Sequence, residues 1–219
     1  VATAVGRQVD GVLLCSCGDS TRSVAMLRQA GVPFVMISRR PEDGAEYDCV
    51  LLDEMQAGYL AARHLIERGN ERIGFLYRYQ VAYSLPRRLE GVRRAARDAG
   101  APEPEVYRRE SDEQTLETLR VWRGRGVTGL VVFCDIEALQ LISLLREAGM
   151  DGDFSLIGFD NIERALGLPT PLCTVDGALE TMAQAAFERL DQRIRGDSSP
   201  CGTVMLPARV VCRGSCRRK

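Results

Sequence analysis

The sequence is poor in several things, and each shortage excludes a class of function. It has one histidine and one tryptophan in 219 residues, and aromatics make up 6% of it. No run approaches the roughly 20 continuous apolar residues of a membrane-spanning helix. The start, "VATAVGRQVDGVLLCSC", lacks a basic head, a long apolar core and a small-residue cleavage site, so a cytoplasmic protein with no membrane contact is expected. Basic residues are not in excess: 29 Lys and Arg stand against 30 Asp and Glu, for a net charge of -1. A nucleic-acid partner would therefore have to be gripped by something other than this chain's overall field. No glycine-rich phosphate loop, GxSxG elbow or Cys/His nucleophile pair occurs, so no enzyme is expected.

Cysteine is plentiful by contrast, with eight residues: Cys15, Cys17, Cys49, Cys134, Cys173, Cys201, Cys212 and Cys216. None forms a CxxC, and most lie in or beside apolar strand-like runs, as small buried hydrophobes do. The lone His64 falls inside a helical stretch, where a packing role is expected, and zinc-ligand spacing is absent. Reduced, structural thiols are expected in preference to disulfides or metal, and no cofactor is anticipated.

What the chain does have, at 45% hydrophobic and 27% charged, is a repeated rhythm. Short Val/Ile/Leu-rich strands such as "DGVLLCS", "VPFVMIS", "RIGFLY", "TGLVVF" and "FSLIGF" alternate with amphipathic helices such as "MQAGYLAARHLIERGN" and "IEALQLISLLREAG". That alternation predicts an α/β protein of βαβ units with mostly parallel, doubly wound sheets. Gly31, Gly100, Gly126 and Gly149 stand where helices need a left-handed terminator, and Ser84 and Asp112 are candidate N-caps. The opening "VATAVGRQ" reads as the end of a helix running straight into a buried strand, so an earlier βα unit is expected upstream.

Taken together, "VDGVLL", "GVPFVMISRR", "AARHLIERGNERIGFL", "RRLEGVRRAARDAG", "SLIGFDNIERALGLPTPLCTV" and "VMLPARVVCRGS" resemble the effector-binding domain of the lactose-repressor (LacI/GalR) family of bacterial transcription regulators. The resemblance implies a two-lobed, periplasmic-binding-protein-like fold with an effector in the interlobe cleft. On this reading residues 1–76 and 177–200 form the N-terminal lobe, lacking its first part, and 77–176 with 201–219 form the C-terminal lobe. It further implies a homodimer, with "IEALQLISLLREAG" as a candidate contact, and operator DNA bound only through a helix-turn-helix headpiece that this sequence does not contain. An effector that binds two conformations unequally would then shift the headpieces on the operator. A periplasmic-type solute-binding protein is the alternative; it would share the fold but usually lacks the "LPTPLCTV" return.

The site follows from the same placement. Ligands of open α/β sheets bind beyond the carboxyl ends of strands. Asp160 lies at such an end and matches the family's effector-binding aspartate, though it could instead cap the turn that follows. Arg88 and Arg39 match ligand-side arginines, though either could pair with a carboxylate. Where the family usually carries an amide, the chain has Cys134; near the family's sugar-stacking aromatic it has Ser111; and Arg78 and Tyr79 replace a small glycine-rich step. Gly177 stands where a glutamine is common. These changes point to an effector that is a sugar phosphate, sugar acid or other small carboxylate. A neutral sugar stays open if Asp160, Asp135 and Glu137 neutralise the arginines internally.

Overall fold

A computed structural model describes the chain except residues 16–19, 42, 44, 79–82, 168 and 217–219 and the side chain at 165, so Cys17 and Tyr79 lie outside the described residues. The elements run α1 (Ala2–Gly6), β1 (Val12–Leu14), α2 (Thr21–Gln29), β2 (Phe34–Ile37), β3 (Cys49–Leu52) and α3 (Glu54–Ile66). There follow β4 (Ile73–Tyr77), α4 (Ser84–Asp98), β5 (Glu105–Arg108), α5 (Asp112–Gly124), β6 (Gly129–Val132), α6 (Asp135–Glu147) and β7 (Ser155–Phe159). A 3-10 turn (Glu163–Gly167), β8 (Cys173–Asp176), α7 (Leu179–Ile194), β9 (Thr203–Leu206) and β10 (Arg209–Val211) complete the chain.

These elements fall into two units, Val1–Asp53 with Ala178–Pro207 and Glu54–Gly177 with Ala208–Lys219. The first unit holds a four-stranded sheet in the order β1-β2-β3-β9, every pair parallel. Val35, Met36, Val50 and Leu51 of its inner strands are fully buried, with Leu27 of α2 and Ala186 of α7. Asp48, buried just before β3, is clamped by Arg189 Nε at 2.9 Å, Arg193 Nε at 2.6 Å and the Gly202 N–H at 3.1 Å, which ties α7 and the start of β9 to the sheet.

The second unit holds a six-stranded sheet in the order β10-β8-β7-β6-β4-β5. Only β10 runs antiparallel, so the carboxyl ends of β4 to β8 open on one edge. The central strands β4, β6 and β7 are almost wholly apolar and buried because helices cover both faces, as a parallel sheet requires, whereas edge strand β5 carries Glu105 and Arg108. Leu76, Leu130, Val132, Leu119 and Leu141 form one fully buried cluster.

The unit border differs from the one the sequence suggests: it falls at Asp53, not near residue 76, and the closing segment splits at Pro207. The reason lies in two glycines. A Cβ on Gly58 of α3 would stand 2.0 Å from the Arg88 carbonyl oxygen, and one on Gly91 of α4 would stand 2.1 Å from that of Met55. The two helices meet backbone to backbone, so α3 belongs with α4.

The expected terminators Gly31, Gly100, Gly126 and Gly149 all take positive φ. The N-caps differ by a residue. Ser84 is already helical, with Tyr83 at the cap position, and Ser111 rather than Asp112 caps α5.

Candidate functional site

The carboxyl edge of the second unit's sheet gathers charge out of proportion to its size. There β4 leads into Arg78, β5 into Arg109, β6 into Phe133 and Cys134, and β7 into Asp160. The helices leaving that edge add Arg88 from α4, Asp112 from α5 and Asp135 and Glu137 from α6, and α3 brings Glu54.

Arg88 sits at the centre with its side chain only 7% exposed. Its Nε donates to Glu54 Oε2 at 2.6 Å and its Nη2 to Glu54 Oε1 at 3.3 Å, a bidentate pairing. Nη1 donates to the Phe133 carbonyl at 2.6 Å, and Nη2 lies 3.8 Å from Asp160 Oδ1. The guanidinium carbon also stands 4.3 Å from the Phe159 ring centre and 4.9 Å from that of Phe133, where ring electrons favour a cation. A carboxylate does pair with Arg88, but it is Glu54, a residue the sequence did not single out. In sequence it looks like an ordinary acidic first-turn residue of a helix.

Asp160 is held in a strained backbone, with φ +100 there and +54 at Asn161. Left-handed geometry in two successive non-glycine residues persists only where the surroundings impose it, and Asp135 does so. Fully buried, its Oδ2 accepts the Ile162 N–H at 3.1 Å and its Oδ1 accepts the Thr174 hydroxyl at 2.8 Å. Thr174 in turn accepts the Asn161 N–H at 3.3 Å. The carboxylate lies so close to β7 that a Cβ at Gly158 would come within 2.2 Å of Asp135 Oδ1. Capping of the turn after β7 thus falls to Asp135, which leaves Asp160, with a side chain 41% exposed, facing Arg88 and open space. Burial raises the Asp160 carboxyl above its ordinary range, with Arg88 pulling the other way. Burial also raises Asp135, to about 7, against the hydrogen bonds from Thr174 and Ile162. Asp135 therefore holds a turn and does not neutralise an arginine.

At the other end of the edge two guanidiniums share one exposed carboxylate. Arg78 Nη2 lies 3.6 Å from Asp112 Oδ1, and Arg109 Nη2 lies 3.5 Å from the same atom. Arg109 is 1% exposed at its side chain, with Nη1 donating to the Glu137 carbonyl at 3.2 Å. The Nε groups of both arginines are buried without a hydrogen-bond partner among the described residues. Burial lowers the pKa of Arg109, and the neighbouring Arg78 charge lowers it further. The Glu137 carboxylate accepts the Arg78 backbone N–H at 3.1 Å. Arg109, too, went unnoticed in sequence, because "YRRES" reads as a solvated charge run. The signal was its position one residue past the end of β5.

The other expected residues fall as follows. Cys134 is the N-cap residue of α6, and burial pushes its thiol up to about 11, so it is a neutral, weak hydrogen-bonding group. Ser111 is exposed and accepts the Gln114 N–H at 3.2 Å as a helix cap. Arg39 belongs to the first unit, half-buried beyond β2, next to Ser38 with φ +65. Arg88, Asp160, Cys134, Arg78 and Ser111 all belong to the second unit. With carboxylates and guanidiniums at its strand ends, this edge offers acceptors for hydroxyls and donors for anions.

Comparison with known proteins agrees with this architecture. Residues 62–216 match the family described as periplasmic binding protein-like domain. The HTH-type transcriptional repressor PurR of Photobacterium profundum is 29% identical over 197 residues, 86% of this chain and 59% of that protein. The chain thus spans about three fifths of the length of the curated relatives it matches. Among solved structures, a complex of the transcriptional regulator CelR with cellobiose superposes with a TM-score of 0.82 at 26% identity, over 98% of this chain and 68% of that one. A LacI family regulator from Enterococcus faecium with bound ribose gives 0.85 at 25% identity, over 100% and 84%.

Proposed function

Since this chain belongs to the periplasmic-binding-protein-like domain family, in the form carried by LacI-type regulators, we propose that it is the effector-binding part of such a regulator. It takes a small metabolite at the carboxyl edge of its second unit, and DNA is held by another part of the protein. A cytoplasmic location accords with that role, and no helix among the described residues is long and apolar enough to cross a membrane.

The observation that carries this reading is the division of labour along the edge. Asp160 keeps an exposed carboxylate able to accept ligand hydroxyls, while Arg78 and Arg109 each keep an Nε donor that no group among the described residues satisfies. A buried cation beside a half-buried one, each with a donor to spare, favours an anion able to meet their forked geometry. The effector class is therefore a polyhydroxylated molecule with one phosphate or carboxylate. That substituent meets Arg78 and Arg109, not Arg88, whose donors are already taken.

Association as a homodimer fits α6. Ile136 on that helix is 58% exposed, and it joins Leu139, Ile142 and Ile162 along a groove of about 660 Å³. Apolar exposure of this kind on a helix face suits a second copy.

Calorimetry and thermal shift on the wild type and on Arg78→Met test the effector class. A pentose or hexose phosphate should bind, raise the melting temperature and bind about ten- to a hundredfold more weakly to the variant, as loss of a charge-assisted contact implies. Equal binding of the neutral sugar, untouched by the substitution, would refute the anionic assignment. Sedimentation of the chain as a monomer at high concentration would refute the dimer.

A further inference from the structure

At the opposite edge of the second unit, around the amino ends of β7 and β8, a second cluster has no part in the effector site. His64 comes from the last turn of α3, Cys173 opens β8, and Cys216 lies in the segment after β10. One imidazole nitrogen and the two sulfurs all lie within 4.8 Å of one another. Cys173 and Cys216 are buried and His64 is half-buried. His64 stands more than 100 residues from Cys173 in sequence, and the three meet only through the fold, which is why spacing gave no sign of them.

We propose that His64, Cys173 and Cys216 form a structural zinc site, which Cys212, whose sulfur lies outside that 4.8 Å cluster, closes by moving in as the fourth ligand.

Four features favour metal over bare thiols. The first is geometry: with zinc about 2.3 Å from sulfur and about 2.0 Å from nitrogen, tetrahedral ligand atoms stand roughly 3.5 to 3.8 Å apart, so a small contraction of this cluster suffices. The second is an unmet need, since His64 Nε2 is buried without a hydrogen-bond partner among the described residues; ligation there places the ring proton on Nδ1, so Arg68 Nη1, 3.4 Å from it, turns away. A buried imidazole nitrogen left bare costs free energy that a metal bond would recover. Third, Cys173 is placed to accept charge at its sulfur, since the Arg213 N–H points at it at 3.2 Å. Fourth, the outer groups suit a thiolate-rich site. Cys212, exposed on the strand-end segment, is within hydrogen-bonding reach of Cys173 and accepts from Arg68 Nη2 at 2.9 Å. Three thiolates on a divalent ion leave one net negative charge, and Arg68 stands where that charge would form.

The binding step balances simply. Zinc takes the three sulfurs as thiolates and the imidazole as a neutral base, and the protons of those cysteines still protonated leave to solvent. A disulfide would need an oxidant and would leave His64 as it is. With all four positions filled by protein there is no open site for chemistry, so the metal's work is to pin the segment 212–216 to β8 and α3.

The test is metal analysis of the purified wild-type chain, followed by replacement with cobalt. About one zinc per chain should survive gel filtration, and cobalt should give a thiolate charge-transfer band with tetrahedral ligand-field absorption. Cys173→Ser should abolish both signals. Arg68→Ala, which removes no ligand, should keep them and weaken zinc affinity about ten- to a hundredfold. A folded wild-type chain that holds no zinc and gives no cobalt-thiolate band with its thiols reduced would overturn the proposal. So would isolation of a Cys173–Cys216 disulfide from freshly purified protein.

Discussion

Arg88 and Arg109 are guanidiniums buried on the same edge of the same sheet, yet the protein treats them in opposite ways. Arg88 has a bidentate carboxylate, a carbonyl, a second carboxylate at 3.8 Å and two aromatic faces. Arg109 has a carbonyl, a distant share of an exposed carboxylate and an Nε with no partner among the described residues. A buried charge is tolerable when its hydrogen bonds are complete and expensive when they are not. Completeness gives Arg88 a structural part, and under the proposed function the incomplete bonding of Arg109, with Arg78, is where a ligand's anion would bind.

Removing the partner of Arg88 and removing Arg109 itself should have very different costs. Glu54→Gln leaves Arg88 without its bidentate carboxylate, and with both side chains 7% exposed or less the loss should cost about 3 to 5 kcal/mol of stability. Arg109→Met, which exchanges a half-satisfied cation for an apolar side chain of similar length, should change stability by no more than about 1 kcal/mol while reducing anion binding. Urea titrations of the two variants read the contrast directly. If Glu54→Gln were the milder substitution, the assignment of roles would have to be exchanged.

How far the sequence revealed this site depends on how local each signal is. The βα rhythm is local, and the parallel sheet it predicts is present. Asp160 and Arg88 stood out because a charge directly after an apolar strand, or in the first turns of the next helix, has a positional meaning. Glu54 and Arg109 hold equally telling positions, but each lies beside another charged residue, Asp53 and Arg108, and so merged into what reads as a solvated run. The border at Asp53 was hidden because the deciding contact joins Gly58 to the Arg88 backbone across a distance in sequence that no periodicity spans. His64 with Cys173 and Cys216 is the extreme case, three single residues on three segments with no motif between them.

A gentler probe of buried charge is pH. Asp135 is raised from 3.8 to about 7 by burial, so between those values the folded state keeps a proton that the unfolded chain has lost. Stability must then fall as pH rises through that interval, by up to about 1.4 kcal/mol per pH unit from this group alone. Asp48 in the first unit runs the other way: burial raises its pKa, but hydrogen bonds from Arg193 and Arg189 outweigh it and leave the group depressed. Its contribution is present above the unfolded value of about 3.9 and is lost as pH falls through its folded pKa. Denaturation midpoints measured from pH 4 to 8 should therefore decline toward neutrality, and Asp135→Asn should flatten the decline. A wild-type profile rising steadily to pH 8 would contradict the picture of a protonated Asp135 bracing the Asp160 turn.

The smallest expected effect separates a cap from a ligand contact. Ser111 stands near the position where the family resemblance places a sugar-stacking aromatic, yet its hydroxyl accepts the Gln114 N–H and its carbonyl accepts the Thr115 hydroxyl at 2.6 Å. Both interactions serve the first turn of α5, and that turn presents Asp112, the carboxylate shared by Arg78 and Arg109. Ser111→Ala should therefore cost about 1 kcal/mol of stability through the lost cap, seen as a modest drop in the urea midpoint. Ser111→Asp supplies another good cap and should restore it. If the hydroxyl instead touched the effector, Ser111→Ala would weaken binding with stability unchanged, and the aspartate, adding charge where an anion must approach, would weaken it further. Measuring both variants by urea titration and calorimetry tells the two apart, since a cap moves the first readout and a contact moves the second.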